Sequence, residues 1–121
     1  MSLQLGDVVL AQIAFHQRSG SKIRPLVVVL DAGDDDFVAV PITSRSGRNE
    51  FDLPLEQWQA ASLNVPSLVR IHKMTVVAKQ DLLRPLGRLS ASDLAAFTER
   101  VCHAYCPRGR HPVPTADIPA Q

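Results

Sequence analysis

Pro25-Leu26-Val27-Val28-Val29-Leu30, then Asp31-Ala32-Gly33-Asp34-Asp35-Asp36, then Phe37-Val38-Ala39-Val40-Pro41-Ile42: two β-branched runs stand on either side of an Asp/Gly cluster. Runs of that length and composition read as buried strands. The cluster between them is turn chemistry, so the segment predicts an antiparallel hairpin with a moderate loop. Upstream, Gly6 to Ala14 reads as another strand, with apolar residues at 8, 10 and 13. Downstream, Glu50 to Leu55 alternates apolar and polar, and Pro54 argues for a strand edge or exit. Glu56 to Ala61 suggests one helical turn around Trp58. Ser67 to Ile71 and Lys73 to Ala78 are two further strand-like pieces. After Leu86-Gly87-Arg88-Leu89 the period changes: Ser90 is an N-cap with Asp93 three residues on, and Leu94, Phe97 and Val101 recur at helical spacing to about Tyr105. Six or seven short strands and one terminal helix define a mainly β (α+β) domain, a small, strongly bent antiparallel sheet or open barrel carrying the helix. No helix separates the early strands, which excludes a βαβ architecture. Residues 1–105 are expected to form the domain, and 106–121, with four prolines, a disordered or extended tail.

The chain has 121 residues, 45% hydrophobic and 21% charged, which is enough for one core without staples. No apolar run approaches the roughly 20 residues of a membrane span, and the N-terminus lacks a signal-peptide layout. A cytoplasmic protein without membrane association is expected. Cys102 and Cys106, with His111 following, do not have the spacing of a four-ligand metal site. The expectation is reduced thiols, no metal and no cofactor.

The net charge of +1 conceals segregation. Between Asp7 and Asp31 stand Arg18, Lys22 and Arg24 and no acid; Phe37 to Asn49 adds Arg45 and Arg48, again without one. Gln57 to Gln80 holds Arg70, Lys73 and Lys79 and is also free of acids, whereas the hairpin tip carries four aspartates. One basic face of this kind suits nucleic acid, although solvated loop charges would give the same counts. The tip lacks the alternating spacing of a calcium loop.

Two strands hand chemistry to neighbouring loops. The basic stretch Phe15-His16-Gln17-Arg18-Ser19-Gly20-Ser21-Lys22-Ile23-Arg24 runs into the first strand of the hairpin, and Pro41-Ile42-Thr43-Ser44 leaves the second, followed by Arg45 and Arg48. A guanidinium and a hydroxyl held at strand ends suit a phosphate. These pieces, with Gly6-Asp7, Ser67-Leu68-Val69-Arg70, Leu86-Gly87-Arg88-Leu89 and the final helix, come in an order that resembles the MazF/PemK family of toxins from about Leu5 to Tyr105. The resemblance implies an SH3-like barrel and a homodimer whose groove binds RNA. It also implies an antitoxin partner whose tail can occupy that groove, and DNA binding when the two are together. The implied activity is metal-independent cleavage of single-stranded RNA, with the 2′-hydroxyl attacking phosphorus to leave a 2′,3′-cyclic phosphate and a 5′-hydroxyl.

By resemblance, Arg24 is the arginine at the scissile phosphate, Thr43 and Ser44 are the hydroxyls bonded to it, and Arg70 stands beside the reacting group. Two residues beyond Arg70, members carry an aspartate; here it is His72. The first loop also departs from the Gly-His-Glu-Gln of better-studied members. Arginine stabilises charge but is too basic to abstract a proton, whereas histidine titrates near ~6.5. The chemistry therefore assigns Arg24 and Arg70 to charge stabilisation and His72 to acid or base, with His16 complementary. His16, Arg18, Ser19, Lys22, Ser44, Arg45, Arg48 and Lys73 form the expected RNA-binding set. Plainer readings stand beside these: His72 as a half-exposed sheet residue, His16 as a loop residue, Arg24 as a loop anchor, Thr43 as a strand end. Trp58, Phe51 and Tyr105 read as core or dimer-contact residues rather than stacking platforms. A catalytically idle barrel that binds nucleic acid or only its antitoxin is the alternative function. A gyrase-poisoning relative relies on a terminal Trp-Gly-Ile, and the ending Ile118-Pro119-Ala120-Gln121 argues against it.

Overall fold

The computed structural model describes residues 2–14, 20–45 and 49–106. Among them are seven strands, β1 (Asp7–Ala14), β2 (Ser21–Leu30), β3 (Asp36–Thr43), β4 (Asp52–Pro54), β5 (Leu68–Arg70), β6 (Thr75–Ala78) and β7 (Leu82–Arg88). One helix follows, α1 (Ala91–Tyr105). The strands form a single antiparallel sheet in the order β4-β5-β3-β2-β1-β7, with β6 also paired to β3. The mainly β architecture with a C-terminal helix is the one expected. The tail from Pro107 onward lies outside the described residues.

The predicted hairpin is present, with Leu26 opposite Pro41 and Val28 opposite Ala39. Its β-branched runs are continuous rather than alternating because both faces of the sheet are covered. Val8, Val27, Val40 and Ile42 meet Leu53, Val69, Ile71 and Phe97 on one face. Val9, Ala11, Leu26, Val28, Phe37, Ala39 and Val77 meet Leu3 on the other. Each fully enclosed valine contributes about 1.5–3 kcal/mol of apolar burial, so neighbouring positions all favour β-branched residues. This differs from the expected alternation in β1, where Val8 and Val9 are both wholly buried.

The bend comes from β3. On one edge it pairs with β2; on the other it pairs first with β6, from Asp36 to Ala39, and then with β5, at Ile42 and Thr43. Pro41 stands in the gap between these two partners, where a missing N–H does not interrupt a ladder. The β2–β3 pairing stops at Leu26 and Pro41. Beyond that point β2 continues with β1 alone, through Pro25 opposite Leu10 and Arg24 opposite Ala11 as far as Ser21 opposite Ala14. The two strands of the hairpin therefore fork. Arg24 lies inside β2, not at its first residue as the sequence suggested, because β1 is long enough to carry the ladder past Pro25.

Lys73 to Ala78 was expected as one strand. Ile71–Lys73 is instead a 3₁₀ turn, and β6 begins at Thr75. The turn at Trp58 is also 3₁₀, over Trp58–Ala61. Strand β7 was not evident in the sequence. It carries Pro85 and Gly87 and pairs with β1 through two register shifts, and such an irregular edge has no clean period.

Helix α1 begins as predicted: the Ser90 hydroxyl accepts the Asp93 amide at 3.2 Å. The Asp93 carboxylate does not return to the cap. Almost wholly buried, it accepts the backbone N–H groups of Glu56 at 3.0 Å and Gln57 at 2.9 Å, tying the helix to the segment after β4. At the far end the Tyr105 hydroxyl donates to the Ile71 carbonyl at 2.6 Å, and Phe97 between them is fully enclosed. The hairpin tip is anchored as well. Asp31 accepts Lys79 Nζ at 2.8 Å, the Leu3 amide at 3.0 Å and the Gly33 amide at 2.8 Å.

Replacing Asp93 with Ala strands two amides near the core, and urea denaturation should register a loss of about 2–4 kcal/mol; a change below half that range would show that the tie is dispensable. The Lys79 ammonium, with the Leu3 and Gly33 amides, holds the Asp31 carboxyl at about 2. A depressed carboxylate adds stability above its unfolded value of ~3.9, and that stability drains away as the pH falls toward the folded value. Between about pH 4 and 2, the wild type should lose stability more steeply than Asp31→Asn, as followed by thermal melting.

Candidate functional site

Where β2 and β3 fork, a cavity of about 760 Å³ opens. Its apolar floor is Leu10, Pro25, Ile42 and Leu86, and its cations are Lys22 and Arg24 from β2, Arg45 just past β3, and Arg84 from β7. The segment Ser62 to Ser67 forms the remaining wall, with Asn64 among its polar groups. Among the described residues no aspartate or glutamate lines the cavity. The cavity is basic by charge, with an apolar bed by composition.

Local geometry positions the hydroxyls. Thr43 Oγ1 accepts the Arg45 amide at 3.2 Å, a side-chain turn that fixes the chain leaving β3. The accepting side of that oxygen is thereby engaged, and its proton remains available to an anionic ligand. Ser67 donates to the Val65 carbonyl at 2.8 Å, which pins the wall across Pro66. At the start of the wall Ser62 adopts φ 64°, closing the 3₁₀ turn with its N–H on the Gln59 carbonyl.

With the exception of Lys73, the pairing of the described cations separates the site from the rest of the molecule. Away from the cavity, Arg70 pairs with Asp52 at 3.2 Å, Lys79 with Asp31 at 2.8 Å, Arg88 with Asp7, and Arg100 donates to the Glu50 carbonyl at 2.9 Å. Lys22, Arg24, Arg45 and Arg84 make no hydrogen bond or ion pair with a described residue. Two exposed cations about 10 Å apart repel by only about 0.4 kcal/mol in water, so the fold tolerates the cluster. A polyanion turns the same charges into attraction.

Of the expected residues, the structure brings together Lys22, Arg24, Thr43, Ser44 and Arg45. It places Arg70, His72 and Lys73 elsewhere, none of them lining the cavity. Arg70 is held on β5 by the enclosed Asp52 carboxylate, and Asp52 faces it directly in the β4–β5 register. His72 lies in the 3₁₀ turn with its ring centroid 6.1 Å from that of Phe51 and with Nδ1 buried and unbonded. His16, Arg18, Ser19 and Arg48 lie outside the described residues. Ser62, Asn64, Ser67 and Arg84 were not anticipated. A polar stretch around Pro66 was the available signal for the wall; Arg84 gave none, because its place depends on strand pairing. Among the described residues no cluster of three or more His, Cys, Asp or Glu side chains is placed to hold a metal.

A bent antiparallel sheet, one C-terminal helix and a basic cavity at a strand fork define the class: a small β domain with a basic cleft. The family follows from the sequence itself. Residues 4–105 match the profile of the PemK-like, MazF-like toxins of type II toxin–antitoxin systems, and the chain belongs to that family. No curated protein matches it. Solved structures share the fold. A mycobacterial endoribonuclease in complex with its cognate antitoxin superposes with a TM-score of 0.70 at 15% identity, covering 88% of this chain and 99% of that one. For the Mycobacterium tuberculosis toxin MazF-mt6 the values are 0.63, 22%, 80% and 95%. For a Deinococcus radiodurans MazE–MazF structure they are 0.67, 20%, 86% and 96%.

Gly87 connects the sheet to the cavity wall. A Cβ there would meet Ser62 Oγ at 3.0 Å and the Ala61 carbonyl carbon and oxygen at 3.1 Å, and backbone yields less readily than a side chain. Gly87→Ala should cost about 1–3 kcal/mol in urea denaturation, with its largest amide shift changes over residues 61–67. Changes centred on Phe97 instead would place the strain in the core.

Proposed function

We propose that this protein is the toxin of a type II toxin–antitoxin pair and cuts single-stranded RNA without a metal, in the cytoplasm. The observation that carries the reading is the set of four cations without acid partners among the described residues, gathered with the Thr43 hydroxyl at the fork of β2 and β3. In the proposed reaction an RNA 2′-hydroxyl attacks the adjacent phosphorus and the 5′-oxygen leaves, giving a 2′,3′-cyclic phosphate and a 5′-hydroxyl. Arg24 offers two donors to the phosphate oxygens and remains charged throughout. Thr43 donates its free proton to the same group, and Ser44 and Arg45 complete the cradle. Lys22 draws the neighbouring phosphate backbone.

Proton transfer requires a group that titrates near neutrality. No histidine is among the described residues that line the cavity, and the sequence names His16 and His72 for the task. The Asp52 pair makes Arg70 a better brace for β4 and β5 than a phosphate ligand. Similarity to structures solved with antitoxins supports a partner antitoxin. An acidic segment of it would suit this cavity, since both ligands are polyanions. A homodimer follows from the family alone. No helix among the described residues is long and apolar enough to cross a membrane. The second reading, a binding protein without catalysis, gains support from Arg70 and His72 not lining the cavity.

In excess EDTA the wild type should cut a long single-stranded RNA at discrete positions with cyclic-phosphate ends. Arg24→Ala should lower kcat by on the order of 10²–10³. The pH profiles of His16→Ala and His72→Ala identify the proton carrier, since the variant that loses one limb of the wild-type profile has lost that group. Binding without cutting by the wild type would leave only the second reading.

A further inference from the structure

Arg84 has no place in the chemistry above, yet it shares the cavity with Arg24. It sits on the edge strand β7, opposite Leu10 of β1, and Leu10 is opposite Pro25 of β2 on its other side. The row Pro25–Leu10–Arg84 therefore crosses three strands. With strands about 4.8 Å apart, the backbones bearing Arg24 and Arg84 are separated by about 10 Å across the sheet. Arg24 is one residue along β2 from Pro25, opposite Ala11; β1 runs between the two arginines, Leu10 lines the same cavity, and no acid does so among the described residues. Arg84 is exposed and bonded to no described residue, whereas Arg88, four positions along the same segment, is engaged by Asp7.

We propose that Arg84 is a second phosphate-binding position, one that holds a neighbouring phosphodiester of the strand whose scissile phosphate lies at Arg24. Two guanidiniums rooted that far apart repel, and separate phosphates suit them better than the oxygens of one. The apolar floor between them takes the intervening sugar and base. The strand thus runs across β1 from β2 toward β7, rather than along the hairpin. Arg84 touches no reacting atom in this arrangement. It is a positioning residue, and its loss weakens the hold on the substrate without altering the bond that breaks. The inference rests on the single-stranded RNA reading, and the test separates the two.

Binding of a fully 2′-O-methylated single-stranded RNA, which cannot be cleaved, is measured by fluorescence anisotropy over a salt series. Each phosphate contact on a single strand contributes about 0.7 to the slope of log K against log salt. Arg84→Gln should lower the slope by about that amount, Arg84→Lys should restore most of it, and Arg88→Gln should leave it unchanged. With cleavable RNA, Arg84→Gln should raise KM, keep kcat, and cut at the same positions. A wild-type slope in Arg84→Gln, or an equal fall in Arg88→Gln, overturns the site while leaving the RNA reading standing. Absence of RNA binding by the wild type overturns both. Because Arg84 is exposed, unchanged melting of the variants accompanies each measurement.

Discussion

The rest of the molecule depends on one strand having three partners. Strand β3 satisfies β2 on one edge and divides the other between β6 and β5. A strand cannot do this and stay flat, so it turns the sheet. The turn ends the β2–β3 ladder at Leu26 and Pro41. Everything at the site follows from that ending. Lys22 and Arg24 go one way with β1; Thr43, Ser44 and Arg45 go the other way past β5. The cavity is the space between them. Pro25 and Pro41 stand on either side of the parting, residues that forgo an N–H where a ladder is already being given up.

Charge is allocated with similar economy. Acids and bases that could neutralise one another do so where they brace the fold: Asp52 with Arg70 between β4 and β5, Asp31 with Lys79 at the hairpin tip, Asp7 with Arg88 at the sheet edge. Of these, the exposed Asp7–Arg88 pair contributes little to stability, whereas the Asp52 and Asp31 carboxylates of the other two pairs are enclosed. All three pairs keep those side chains away from other ligands. A net charge of +1 therefore coexists with a concentrated positive field at one place. A chain with the same composition and another set of pairings would have no such field.

The sequence revealed what short-range physics determines. The hairpin was legible from two β-branched runs around an Asp/Gly tip, and the helix from Ser90 and the spacing of Leu94, Phe97 and Val101. Arg24, Thr43, Ser44, Arg45 and Lys22 were named from the residues beside those runs and do converge. What stayed hidden needed pairing across the chain. Strand β7 has Pro85, Gly87 and two register shifts in place of a period, so Arg84 had no visible location. The Asp52–Arg70 pair spans eighteen positions and exists because β4 and β5 meet in one register. His72 was read onto a strand that is a 3₁₀ turn, since an apolar run of that length cannot distinguish the two. Asp93 resembled a helix-capping acid, and only the packed structure turns it toward Glu56 and Gln57.

Both faces of the sheet are filled with aliphatic side chains. Proteins that hold single strands on a sheet do so with aromatic rings on an open face, over which bases lie flat. Among the described residues both faces are covered, and of the aromatic side chains on the sheet and helix Phe37 and Phe97 are enclosed while Tyr105 is exposed at the end of α1. What is left to a ligand is the rim, where strands end and loops begin. A rim of this composition would meet a polymer by its backbone, one charged bead after another, and among the described cavity residues would offer flat rings only leucine, isoleucine, valine and proline.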